Sequence, residues 1–133
     1  MTTVIVNGTF DILHPGHVAM LNTARSMGDY LVVCIDTDRR VKELKGENRP
    51  VNDEITRRIM LSNLKAVDIV ELFDSKEELI ELIKRYQPDI MVKGSDYKGK
   101  SIVGETLIPS VIYYDRINEY STSKTIQDII NRG

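Results

Sequence analysis

Asn7-Gly8-Thr9-Phe10-Asp11-Ile12-Leu13-His14-Pro15-Gly16-His17 follows the short β-branched run Val4-Ile5-Val6 and opens an amphipathic stretch. A strand, a glycine-bearing turn and a helix start in that order are the beginning of an α/β unit. Both histidines of the chain fall inside it, three positions apart, around Pro15-Gly16. A helix N-terminus presents unpaired N–H groups and the positive end of the helix dipole, which favour bound phosphate. Gly8 and Gly16 let the backbone approach an anion closely. Imidazoles at 14 and 17 can donate hydrogen bonds to phosphate oxygens as negative charge builds up. The spacing is not that of a His-Glu-x-x-His zinc helix, and no carboxylate set completes a metal cage. Alone, either histidine reads as a turn or cap residue; two in one glycine-rich turn point to a ligand site.

Outward from this stretch, strand-length apolar runs alternate with helical ones. Residues 30–35, 69–72, 89–92 and 111–114 join 4–6 as strands, and 16–27, 52–64, 76–86 and 121–131 read as helices. In 76–86, Leu79, Ile80, Leu82 and Ile83 recur at helical spacing, with Glu77, Glu78, Glu81, Lys84 and Arg85 on the other face. Gln87-Pro88-Asp89 then stops the helix. The alternation predicts one Rossmann-like α/β domain spanning 1–133, a parallel five-stranded sheet with helices on both faces. Such sheets bind ligands beyond the carboxyl ends of their strands, where the strand order reverses. Residues 45–51 and 94–104, rich in glycine, lysine and polar groups, are candidate ligand loops.

Composition narrows the class of function. At 133 residues the chain fits one core. Lys and Arg total 18 against 20 for Asp and Glu, a net charge of −2, which argues against a bulk nucleic-acid partner but leaves room for a local basic pocket. No run approaches a membrane span and no secretory leader is visible, so a cytoplasmic protein without a membrane partner is expected. Cys34 is the sole cysteine, which excludes an internal disulfide and a multi-thiolate metal site; within its apolar run it reads as core, as do Met20 and Leu21.

The run from Gly8 to His17 resembles the nucleotidyltransferase superfamily whose hallmark is His-x-Gly-His, and the resemblance extends over essentially the whole chain. Those enzymes join a nucleoside triphosphate to a phosphorylated small molecule and release pyrophosphate. Two groups within it are close: adenylyltransferases acting on D-glycero-β-D-manno-heptose 1-phosphate, and cytidylyltransferases acting on glycerol 3-phosphate. Leu44-Lys45-Gly46-Glu47-Asn48-Arg49-Pro50-Val51-Asn52 is similar to the Lys-Gly-x-x-Arg-Pro-Val-Asn segment of the heptose group. Val92-Lys93-Gly94-Ser95-Asp96-Tyr97, followed by Ile102-Val103-Gly104, resembles that group's Val-Lys-Gly-Gly-Asp-Tyr and Ile-x-Gly. Arg116 matches instead the arginine of the glycerol group's Arg-Thr-Glu-Gly-Ile-Ser-Thr-Thr, of which Arg116-Ile117-Asn118-Glu119-Tyr120-Ser121-Thr122-Ser123 keeps only part. The heptose group often carries a fused sugar kinase, and the resemblance here is to the transferase alone. On balance the heptose reading leads, with glycerol 3-phosphate second.

The resemblance implies roles residue by residue. His14, His17 and Lys45 would carry the chemistry, the histidines at the triphosphate. Gly8, Thr9, Phe10, Asp11, Gly16, Arg57, Asp96, Arg116, Ser121 and Thr122 would surround the nucleotide, ATP or CTP. Asp11 would orient the turn or a cation, since an attacking phosphate needs no base, and Arg57 would grip a phosphate through its guanidinium. Lys42, Arg49 and Tyr97 would face the phosphorylated small-molecule substrate. Each has a plainer reading: solvated charge for the lysines, an ion pair for Arg49, N-caps for Ser121 and Thr122. Mg²⁺ would arrive with the triphosphate rather than in a protein cage, and a homodimer is expected from the family. Two alternatives stand beside this reading. One is a nucleotide-binding regulatory domain without turnover. The other is an adenylyltransferase for pantetheine phosphate or nicotinamide mononucleotide, although those relatives carry a different first motif and are longer.

Overall fold

The computed structural model describes residues 1–115 and 122–132. Along the chain run β1 (Thr3–Gly8), α1 (Pro15–Ser26), β2 (Tyr30–Asp36), α2 (Asp38–Lys45), α3 (Glu54–Ser62), β3 (Ile69–Phe73), α4 (Lys76–Tyr86), β4 (Ile90–Gly94), β5 (Ser110–Tyr114) and α5 (Thr122–Arg132). Single-turn 3-10 helices at Ser95–Tyr97 and Glu105–Leu107 interrupt the segment between β4 and β5. The strands form one five-stranded sheet in the order β3-β2-β1-β4-β5. Every ladder is parallel.

Side-chain alternation divides the core between the two faces of this sheet. Val4, Val6, Val33 and Ile35 pack with Leu21 and Ala24 of α1 and Leu61 of α3. Ile5, Val32, Cys34 and Met91 pack on the other face with Leu79, Leu82 and Ile83 of α4 and with Ile102 and Ile108. Helices thus cover both faces, as the continuous apolar runs predict. Each fully buried aliphatic side chain contributes roughly 1.5–3 kcal/mol, so the central strands anchor the fold.

The order reverses at β1, which lies between β2, its successor, and β4. Its two ladders differ in length. With β2 the register runs from Thr3↔Tyr30 to Gly8↔Ile35, whereas with β4 it comprises Val4↔Ile90 and Ile5↔Met91. Beyond Ile5 and Met91 the two strands are no longer matched, and the sheet opens at the carboxyl edge where a ligand crevice is expected.

One helix is not anticipated by apolar periodicity. α2 buries only Val41 and takes its bounds from its ends instead. The Thr37 side chain accepts from Arg40 N, Asp38 occupies the first turn, Lys42 and Lys45 the last, and Gly46 follows at φ 104°. The predicted helix over 52–64 is shorter, Glu54–Ser62, because Asp53 caps it by accepting from Thr56 N. The loop expected over 94–104 holds the 3-10 turn Ser95–Tyr97, and β4 extends to Gly94.

Candidate active site

The start of α1 differs from those of α2, α3 and α4. Those three begin with Thr37, Asp53 and Ser75, each accepting a hydrogen bond from the helix, and each has an acidic residue in its first turn. α1 begins at His14 with no side-chain cap bond and no acidic residue in its first turn, and Pro15 occupies the first helical position. Its dipole is therefore left without the local negative charge that the others supply, which suits an anionic ligand. The His14 and His17 rings stack here, centroids 3.8 Å apart and planes at 23°. Both are half-buried, and Gly16 lies between them in the first turn of α1.

Phe10 holds this pair from beneath. Its ring is buried, lies 5.1 Å from the His17 ring and is tilted by 55° to it. The backbone at Phe10 has φ 50°, left-handed for a bulky residue, at a cost of order 1–3 kcal/mol. Gly8 favours the same seating, because a Cβ there would meet Phe10 Cε2 at 3.1 Å and the ring would have to give by a few tenths of an ångström. Burial of the ring offsets the strain, and the turn between β1 and α1 is fixed by packing as well as by backbone.

Asp11 and Arg57 are both tied to the protein itself. Asp11 is 2% exposed; its Oδ1 accepts from Asn52 N at 2.8 Å, and its Oδ2 from Val51 N at 2.9 Å and Arg49 Nε at 3.3 Å. Asn52 Nδ2 donates in return to the Asp11 carbonyl. The carboxylate thus clips the 49–52 segment to the histidine turn, and Arg49 is its ion-pair partner. Arg57, expected to grip a phosphate, is instead 1% exposed, with its guanidinium engaged inside the protein. Nε donates to Asn52 O, Nη1 to Thr9 O and Asp36 O, and Nη2 to Asp38 Oδ1. No fork remains to face a phosphate, and Arg57 instead ties together the ends of β1 and β2 and the starts of α2 and α3.

On the opposite face of the sheet, the carboxyl ends of β2 and β4 carry Asp36 and Lys93. Asp36 is buried, and Arg40 Nε lies 3.6 Å from its Oδ2. Burial pushes this carboxyl above the ordinary range, while Arg40, Lys45, Arg57 and Lys93 pull it back. Burial lowers the Lys93 ammonium, opposed by the charges of Asp36 and Asp96. Lys93 Nζ sits 4.4 Å from the centroid of the Tyr97 ring, which is itself exposed. Lys45 ends α2 and Lys42 lies one turn earlier; both are exposed, Lys45 within electrostatic reach of Asp36.

The structure thus brings His14, His17, Phe10, Gly8 and Gly16 to one turn, with Thr9, Asp11, Arg49 and Arg57 bound behind it. Asp96 and Tyr97 lie across the opening beside Lys93. Arg116 and Ser121 lie outside the described residues, and Thr122 begins α5. Sequence reasoning passes over Asn52, Asp36 and Lys93 as site residues. Lys93 has a legible signal, a charged residue ending an otherwise apolar strand next to Gly94; the roles of Asn52 and Asp36 depend on contacts distant in sequence. Among the described residues, no group of three His, Cys, Asp or Glu could hold a metal ion, and no helix is long and apolar enough to cross a membrane.

The bifunctional protein HldE of Campylobacter fetus is 48% identical over 96% of this chain and 28% of that protein. HldE of Wolinella succinogenes is 45% identical over 95% of this chain and 26% of that one. The chain therefore spans only about a quarter of the length of these curated relatives. Among solved structures, a lipopolysaccharide core biosynthesis protein from Thermoplasma volcanium is 29% identical with a TM-score of 0.71, covering 86% of this chain and 98% of that one. Pantothenate synthetase from Thermus thermophilus, 16% identical with a TM-score of 0.59, covers 96% of this chain and 64% of that one and shares the fold. The family model described as cytidylyltransferase-like matches residues 5–128, from β1 into α5 and across the whole carboxyl-edge site, and the chain belongs to that family of nucleotidyltransferases.

Proposed function

We propose that the protein transfers AMP from ATP to D-glycero-β-D-manno-heptose 1-phosphate, forming ADP-heptose and releasing pyrophosphate. The observation that carries the transfer is the stacked His14–His17 pair at an uncapped helix start beside the opening between β1 and β4. An oxygen of the acceptor phosphate attacks the α-phosphorus of ATP. The bond from that phosphorus to the bridging oxygen of the β-phosphate breaks, and the electron pair leaves with pyrophosphate. The attacking group is already an anion, so no general base is required. The imidazoles donate hydrogen bonds to the phosphate oxygens that gain charge, and the α1 N-terminus adds its dipole. Among the described residues no group of His, Cys, Asp or Glu forms a cage for a metal, and the Asp11 oxygens already accept from three donors. Mg²⁺ would enter with the triphosphate and would supply charge neutralisation there.

The choice of heptose phosphate is supported by the 45–52 and 92–97 segments and by similarity to HldE proteins and to a lipopolysaccharide core biosynthesis protein. The test offers Mg²⁺ with ATP or CTP, each with heptose 1-phosphate or glycerol 3-phosphate, and follows pyrophosphate. Release confined to ATP with the sugar phosphate is the expected result. Release confined to CTP with glycerol 3-phosphate would make Arg116 the better guide to substrate and overturn the choice.

A further inference from the structure

Two residues beyond the last matched pair of β1 and β4, Ile5 and Met91, stand Asn7 and Lys93. Alternation continues the rows of Ile5, Cys34 and Met91, so Asn7, Asp36 and Lys93 lie at the carboxyl edge of the face away from α1. A methionine or leucine at 93 would prolong the apolar row, whereas a partly buried ammonium there loses hydration. Lys93 is one of four cations, with Arg40 at 3.6 Å, Lys45 and Arg57, whose charges act on the buried Asp36 carboxylate, and the charge of Asp96 acts on Lys93 as well. At the same edge, on β1, the side-chain oxygen of Asn7 is buried and makes no hydrogen bond among the described residues. A half-buried cation and an unused buried acceptor at the same carboxyl edge of one sheet face match a ligand with both a phosphate and a hydroxyl.

We propose that Lys93 binds the phosphate of the acceptor, with Asn7 accepting a hydrogen bond from a sugar hydroxyl. This rests on the transferase reading above. In-line displacement puts the attacking oxygen and the leaving pyrophosphate on opposite sides of the α-phosphorus. The histidines stand at the start of α1, which packs on one face of the sheet, and Lys93 stands at the edge of the other. Lys93 keeps its proton throughout: it holds and orients the phosphate whose oxygen attacks.

The test is steady-state pyrophosphate release by the full chain carrying Lys93→Met or Lys93→Arg. In Lys93→Met the KM for the sugar phosphate is expected to rise on the order of tenfold or more, with the KM for ATP within about twofold of wild type. Lys93→Arg should recover most of the loss, because it restores the charge. An unchanged acceptor KM in Lys93→Met, or an equal rise in both KM values, would overturn the proposal while leaving the transferase reading intact. If wild type turns over none of the four substrate pairs, the transferase reading is the one that fails. Inorganic phosphate titrated into wild type and Lys93→Met then decides the lysine: a tenfold weaker affinity supports an anion site, and equal affinity overturns it.

Discussion

Arg57 Nη1 donates to the carbonyl oxygen of Thr9 at 2.9 Å across 48 residues of sequence. That bond, with those to Asn52, Asp36 and Asp38, makes one buried guanidinium the fastener between α3 and the turn bearing the histidines. Removing it strands several buried acceptors and the Asp38 charge. Arg57→Ala should destabilise the fold by about 3–5 kcal/mol. Arg57→Lys should recover only part, because an ammonium cannot reproduce the fork. Urea unfolding followed by circular dichroism checks this; an unchanged midpoint in either variant would return Arg57 to the role of a ligand-facing residue.

Asp11 governs the 49–52 segment through the amides of Val51 and Asn52. In Asp11→Ala these two N–H groups lose their acceptor, and their hydrogen exchange should accelerate by roughly tenfold or more. Amides in the middle of α4 should be unaffected. If Val51 and Asn52 exchange at wild-type rates in the variant, the clip is not what orders the segment.

Gly104 is held at φ +78°, and a Cβ there would clash with Ile83 Cδ1 on α4. Gly104→Ala should therefore cost about 1–3 kcal/mol, from the left-handed backbone and from the clash. The clash portion should shrink in an Ile83→Val background, which lacks the Cδ1 atom. A thermal-melt double-mutant cycle measures the coupling, and strict additivity would assign the whole cost to the backbone.

Cys34 lies fully buried in β2, and its thiol is pushed to about 12, first by burial and then by the charge of Glu71. It should resist a disulfide reagent at pH 8 and react once the chain is unfolded in denaturant. The unfolded chain ionises this thiol near its ordinary value of 9.0. Its contribution is therefore present below that pH and is lost as pH rises from 9.0 towards 12. Rapid labelling of the native protein at pH 8 would contradict the burial.

The sheet was legible because its strands are continuous apolar runs. Tyr30-Leu31-Val32-Val33-Cys34-Ile35 can hardly be anything but a strand covered on both sides, and it is the first part of β2. The helix Asp38–Lys45 was not legible by periodicity, since Val41 is its one buried residue and its ends alone specify it. The histidine turn was legible because its residues are adjacent in sequence. Arg57 was misread for the opposite reason: an arginine on the helix after a ligand loop resembles a phosphate clamp until its distant acceptors, Thr9 and Asp36, are placed around it. Lys93 stands out in the sequence as a charge ending an apolar strand, but its electrostatic neighbour Asp36 comes from another strand, distant in sequence.

The most direct test of the central claim is the rate of pyrophosphate release by His14→Ala and His17→Ala with saturating substrates. The stacked pair at the start of α1 is held to stabilise charge on the phosphates as the α-phosphorus is attacked. Each substitution should then lower kcat on the order of 100–1,000-fold while the protein remains folded by circular dichroism. Turnover at the wild-type rate in both variants would contradict the account, whichever acceptor the protein uses.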